Sequence, residues 1–126
     1  MKFQPDSLAG TNTVSRHERG AVWINGTRWS CSVLVPWRGE VRPWPLDGLA
    51  ALTVSHFEQV LALAPEVVIF GSGERLQFVS PALYQCLIAA RIGIETMDTA
   101  AACRTYNVLA SEGRSVVAAL LLPAAP

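Results

Sequence analysis

What this chain does not have is an excess of charge. Its 126 residues carry 10 Lys+Arg and 10 Asp+Glu, and only 16% of positions are charged. A balanced surface sets up no field to draw nucleic acid or an anionic membrane, so neither is expected as a partner. It also supplies little colloidal repulsion, which leaves self-association into a homodimer open. Histidine is scarce, at His17 and His56, and without a carboxylate pattern around them no metal site is expected. Cys31, Cys86 and Cys103 are odd in number, far apart and without a C-x-x-C pair. That argues against a disulfide framework or zinc knuckle and fits a reducing compartment. The opening "MKFQPDSLAG" lacks the apolar stretch of a secretory signal and the Arg-rich look of a mitochondrial presequence. The closing "VVAALLLPAA" is too short and too Pro-marked to span a bilayer. The expected location is the cytoplasm, with no integral membrane segment.

What is present is apolar. With 51% hydrophobic residues, the chain can bury a real core. One α/β domain over 1–126 is expected, with 1–13 and 123–126 as flexible tails. The first third reads as antiparallel. "AVWINGTRWSCSVLV" sets Asn25-Gly26 between two β-prone runs, and a type I′ turn needs positive φ at both positions. Such a turn pairs Trp23 with Arg28, opposed for a cation–π contact on the outer face. Alternation continued along the run puts Val22, Ile24, Trp29, Cys31, Val33 and Val35 on the core face. Residues 14–18 can add an edge strand, and a short extended piece is expected around 41–44.

The second half changes period. Thr53 or Ser55 can cap a helix to about Ala64, stopped by Pro65. "EVVIF" is a wholly apolar run of the kind buried parallel strands show. Ser80-Pro81 opens a helix that Gly93 is expected to close; "IETM", a helix from Asp98 and "SVVAALLL" complete the chain. The pattern is an N-terminal antiparallel hairpin followed by βαβαβ, so a mixed sheet with right-handed crossovers is expected.

Three features could carry function. Gly71-Ser72-Gly73 follows a strand and reads first as a tight structural turn; it could also offer backbone N–H groups to an anion, although no dinucleotide fingerprint or G-K-[ST] accompanies it. "MDTAAACRTYNVLASEGR" holds Asp98, Thr99, Arg104 and Asn107. Asp98 or Thr99 suits an N-cap and Gly113 a C-terminal stop. Ala102, Cys103, Tyr106, Leu109 and Ala110 share one stripe facing the sheet, which makes Cys103 an inert buried thiol. Arg104, Asn107 and Ser111 gather opposite, with Asn107 near the boundary, where it could bond backbone of a neighbouring loop. In a parallel sheet the glycine loop and the Asp98 helix start lie at the same carboxyl edge, where open α/β sheets place ligands. No Ser/His/Asp or Cys/His set accompanies them, so the reading leans against an enzyme. Finally, all four tryptophans fall within the first 44 residues. Trp23, Trp37 and Trp44, with Arg28, Arg104 and Ser111, form the candidate protein-interaction surface, because aromatics and arginine are enriched at interfaces.

"INGTRWSCSVLV", the G-S-G loop after "VVIF", "IGIETMDTAAACRTYNVLASEGR" and the closing "VAALL" resemble a family of small bacterial and archaeal proteins of unknown function. That family includes the mitochondrial NADH dehydrogenase (complex I) assembly factor 3. Its most specific portion is Glu95 to Arg114, E-T-M-D-T followed by A-x-x-x-Y-N-x-L-x-x-E-G-R. The resemblance implies a three-layer α/β fold with a central mixed sheet, no established catalytic residues and no cofactor. It also implies a binding role like that of an assembly factor. The reading is thus a non-enzymatic interaction protein, of the kind that assists a respiratory or membrane complex to assemble. The alternative is a small-molecule or anion-binding protein built on Gly71, Ser72, Gly73, Asp98, Thr99, Arg104 and Asn107.

Overall fold

The computed structural model describes residues 10–123. The expected tails at 1–9 and 124–126 lie outside the described residues. Residues 11–13, expected in the first tail, are tied to the fold. Asn12 is 6% exposed. Its N–H donates to Trp37 O, its Nδ2 to Pro36 O and Gly39 O, and its C=O accepts from the Tyr106 hydroxyl at 2.8 Å. A buried carboxamide bonded on all sides costs little and fixes three segments at once.

The antiparallel sheet comprises β1 (Val14–Glu18), β2 (Ala21–Ile24) and β3 (Thr27–Trp29), in that order. Asn25 at φ 53° and Gly26 at φ 85° make the expected turn, and Trp23 faces Arg28 across it. The strand does not continue past Trp29. At Ser30–Ser32 the chain leaves this sheet and enters the central one as β4 (Val33–Pro36). Alternation therefore breaks at the corner. Cys31, expected in the core, is exposed, and Trp29 is only half-buried. Ser32 holds the corner by accepting from Leu122 N–H and from Trp44 N–H through its side chain and carbonyl.

The central sheet adds β5 (Arg42–Pro43), β6 (Val67–Gly71), β7 (Gly93–Met97) and β8 (Val116–Leu120), in the order β5-β4-β8-β6-β7. β6 pairs parallel with both β7 and β8, while β4 pairs antiparallel with β8. The sheet is mixed, as expected. β8 is buried at all five residues, which suits its wholly apolar run.

Helices close both faces. On one side lie α1 (Val54–Leu61) and α2 (Gln85–Ala89). There Trp44, Phe57 and Phe70 stack edge-to-face with centroids 5.8–6.1 Å apart, each pair adding about 0.5–1.5 kcal/mol beyond its area. α1 starts at a capping box in which Thr53 and the His56 ring satisfy each other's backbone donors. The segment after Ser80 runs first as a tight turn, Pro81–Tyr84, and then as α2. α2 ends earlier than expected: Arg91 at φ 60° takes the left-handed position, and Gly93 already belongs to β7. On the other side lies α3 (Thr99–Ser111), sandwiched between the central sheet and β1–β2. Gly113 N–H bonds Ala110 O and Arg114 N–H bonds Leu109 O, the two bonds of a Schellman stop. Three layers result. Among the described residues no helix is long and apolar enough to cross a membrane.

Candidate functional site

The stretch 97–114 is structural first. Asp98 caps α3 by accepting from Ala101 N–H at 2.8 Å. Ala102, Cys103, Tyr106 and Ala110 are buried as expected, with Leu109 partly so. Burial pushes the Cys103 thiol up to about 12, against a smaller opposing pull from Arg104, so it stays protonated and inert. Asn107 does not face solvent freely. Its carboxamide accepts from Val14 N–H at 2.9 Å and donates to Val14 O at 2.8 Å, pairing with β1 as a neighbouring strand would. Arg104 is exposed, and Ser111 is exposed with its hydroxyl turned back to Val108 O.

The glycine loop is likewise consumed by the fold. A Cβ on Gly71 would lie 2.9 Å from Thr99 Oγ1 and 3.0 Å from Thr99 Cα. The glycine is there because α3 approaches the sheet that closely. Ser72 N–H donates to Met97 O, and Gly73 N–H to Thr99 Oγ1, which in turn donates to Leu121 O at 2.7 Å. Ser72 Oγ bonds Arg75 O and accepts from Gln77 N–H. The N–H groups of Ser72 and Gly73, which an anion nest here would use, are already taken by the protein's own acceptors.

Beside this knot runs a trench between β1 and the first turns of α3. A cavity of about 270 Å³ is lined by His17, Arg19, Gly73, Glu74 and Thr99 among others. A second, of about 250 Å³, shares His17 and Ala100 with it and extends along Arg16, Arg104 and Asn107. Of the expected ligand set, then, Gly73, Thr99, Arg104 and Asn107 reach the trench, while Gly71 and Ser72 hold its shoulder from within the fold. Arg16 pairs with Glu18, and Arg19 with Glu74 at 2.7 Å. His17 is the member that sequence reading missed. Burial lowers its pKa; Asp98 opposes that and Arg104 reinforces it, so the charged form of the ring is disfavoured. Its alternation within "VSRHE" could have placed it on a strand face, but nothing local pointed to α3.

The candidate interaction residues separate. Trp23 is half-buried on the outer face of the small sheet, with the guanidiniums of Arg16 and Arg28 at 4.5 and 5.7 Å from its ring centroid. Trp37 packs toward α3 with its indole N–H on Ala110 O, and Arg38 lies 4.3 Å over its ring. Trp44 is 1% exposed and is corrected from surface to core. Its indole N–H reaches His56 O, so the Pro-rich connection folds the ring inward, where its large apolar area is best buried.

A mixed sheet with α1 and α2 on one face, and α3 with a small antiparallel sheet on the other, defines a three-layer α/β domain whose polar residues mainly tie layers together. Residues 14–121 match the model of a protein family of unknown function, DUF498/DUF598, and the chain belongs to that family. It is 32% identical over 127 residues to the zebrafish (Danio rerio) NADH dehydrogenase [ubiquinone] 1 alpha subcomplex assembly factor 3, covering 98% of this chain and 71% of that protein. The human protein of the same name is 33% identical over 86% of this chain, which spans only 59% of it. A crystal structure of a Bordetella parapertussis protein superposes with a TM-score of 0.86 at 40% identity, covering 91% of this chain and 98% of that one.

Proposed function

We propose that this chain is a protein-binding module that assists assembly of a larger complex. Its recognition surface would be the outer face of β1–β3 together with the exposed margin of α3. The names of the zebrafish and human relatives support the role and point to an NADH dehydrogenase as the kind of client. The observation that carries the reading is Trp23, held between Arg16 and Arg28 on an outward face. A large ring already immobilised by two guanidiniums loses little entropy on binding, which is what an interface anchor needs. Capture of the tagged full chain from its native cells tests this. Wild type should retain a stoichiometric partner, and Trp23→Ala should weaken retention about thirtyfold, the effect of roughly 2 kcal/mol, with Arg104→Glu weakening it further. Unchanged capture by both variants refutes the surface.

A second reading, a small carboxylate or phosphate ligand, is favoured by the trench, where His17, Arg19 and Arg104 would supply what the glycine loop does not. A ligand that binds only the native state raises Tm. A panel of such anions producing no shift removes this reading.

A further inference from the structure

The two sheets end in four edges, of which two are very short and a third is partly held. β5 spans two residues, one of them Pro43, which has no N–H to donate. β3 is three residues long. β1 is clasped by Asn107 through both polar groups of Val14. β7 is different. It runs five residues in unbroken parallel register with β6 and terminates the central sheet. Ser72 N–H donates to Met97 O, while Leu121 N–H reaches Gly71 O on the opposite side of β6. Backbone groups alternate along a strand, so Gly93, Glu95 and Met97 turn theirs toward β6, and Ile94 and Thr96 turn theirs outward. Among the described residues, nothing bonds to those four outward groups.

We infer that β7 is a docking edge for an extended segment of a partner protein that carries Lys or Arg opposite Glu95, added as a sixth strand to the central sheet. This rests on the protein-binding reading above and assigns where, and in what form, a partner sits. Glu95 is exposed at the centre of the strand, and it selects the occupant. If two copies paired antiparallel so as to use all four outward groups, Ile94 would face Thr96 of the second copy and Glu95 would face Glu95. That central pair is of the non-hydrogen-bonded kind, with Cα atoms only about 4.5 Å apart. Like charges directly opposite destabilise a ladder. A basic residue in the incoming strand turns the repulsion into attraction, so charge favours a different chain over a second copy. Hydrogen bonds from the edge supply affinity, and Glu95 supplies the choice.

The test titrates ¹⁵N-labelled full chain with two capped peptides, Thr-Val-Thr-Lys-Thr-Val-Thr and its Glu-centred counterpart, at millimolar concentration. The Lys-centred peptide should shift the Ile94 and Thr96 amides and slow their exchange, and the Glu-centred one should bind at least tenfold more weakly. Glu95→Lys should invert that preference. Thr96→Pro removes one outward donor and leaves the ladder to β6 intact, so it should abolish the response without lowering Tm. The proposal is overturned by no response, by shifts confined to other residues, or by equal binding of the two peptides. It is equally overturned if the Ile94 and Thr96 amides are already protected in the free protein, because a second copy or the chain's own termini then occupy the edge; sedimentation separates those two cases. Partner capture that survives Thr96→Pro and Glu95→Lys but fails with Trp23→Ala sinks this edge and leaves the protein-binding reading standing. Capture of no partner by wild type sinks that reading while the peptide titration still reports on the edge.

Discussion

Replacing Asn107 with alanine should loosen the join between the small sheet and the rest of the molecule. The carboxamide makes two bonds to Val14, at 2.9 Å and 2.8 Å, both at a part-buried position. Each such bond contributes about 1 kcal/mol net, and the stranded backbone groups are only partly rewetted, so the loss should be about 2 kcal/mol. For a domain of this size that lowers Tm by roughly 6–10 °C. Asn107→Asp sharpens the test. It keeps the acceptor for Val14 N–H but sets a carboxylate against Val14 O, so it should recover none of the loss. Urea unfolding followed by tryptophan fluorescence gives the free energy, and amide exchange at Val14 locates it. Exchange there should accelerate more than at Val117 or Ala118 in the sheet centre. An alanine variant within about 0.5 kcal/mol of wild type, with Val14 exchange unchanged, would refute the reasoning and show that packing alone holds β1 to α3.

Gly71→Ala should push α3 off the sheet, because the new methyl would meet Thr99 Oγ1 at 2.9 Å and Thr99 Cα at 3.0 Å; a loss of about 1–3 kcal/mol in chemical denaturation is expected. Trp44→Ala empties a site that is 1% exposed, so it should cost about 3–5 kcal/mol and be seen as a large drop in Tm, whereas Trp23→Ala should change stability by less than about 1 kcal/mol. Between pH 9.0 and about 12 the unfolded chain releases the Cys103 proton that the native state keeps. Native stability should therefore fall as pH rises through that window, and the fall should be shallower in Cys103→Ala.

Local signals were legible in the sequence. Asn25-Gly26 marks its turn because few other pairs adopt positive φ twice, and Gly113 closes α3 for the same reason. The apolar runs of β6 and β8 announce a sheet covered on both faces. The misses come where one rule was carried past its range. Alternation holds along one strand and fails at Ser30–Ser32, where the chain changes sheets, so the pattern points Cys31 inward while the fold leaves it exposed. Pro43 and Pro45 beside Trp44 suggest a surface connection, yet its partners Phe57 and Phe70 come from α1 and β6. For the glycine loop the sequence leaves a tight structural turn and an anion nest side by side, and the reason for Gly71, the closeness of α3, is visible only in three dimensions. The boundary position of Asn107 on α3 suits a bond to neighbouring backbone, but that the partner is Val14, 93 residues away, and that His17 enters the trench, are products of tertiary placement that no local pattern encodes.

The seat of β8 has a consequence for how the molecule is made. This last strand lies between β4 and β6, bonded to each, so the two have no contact as neighbours until it arrives. A ribosome synthesises residues 33–71 long before 116–120, and in that interval β4 and β6 each lack their central neighbour. The nascent chain therefore cannot close its sheet strand by strand as it emerges. Closure of the sheet must wait until β8 itself is free to enter, and a chain cut short before Val116 would leave two apolar strands with open flanks rather than a smaller version of the domain.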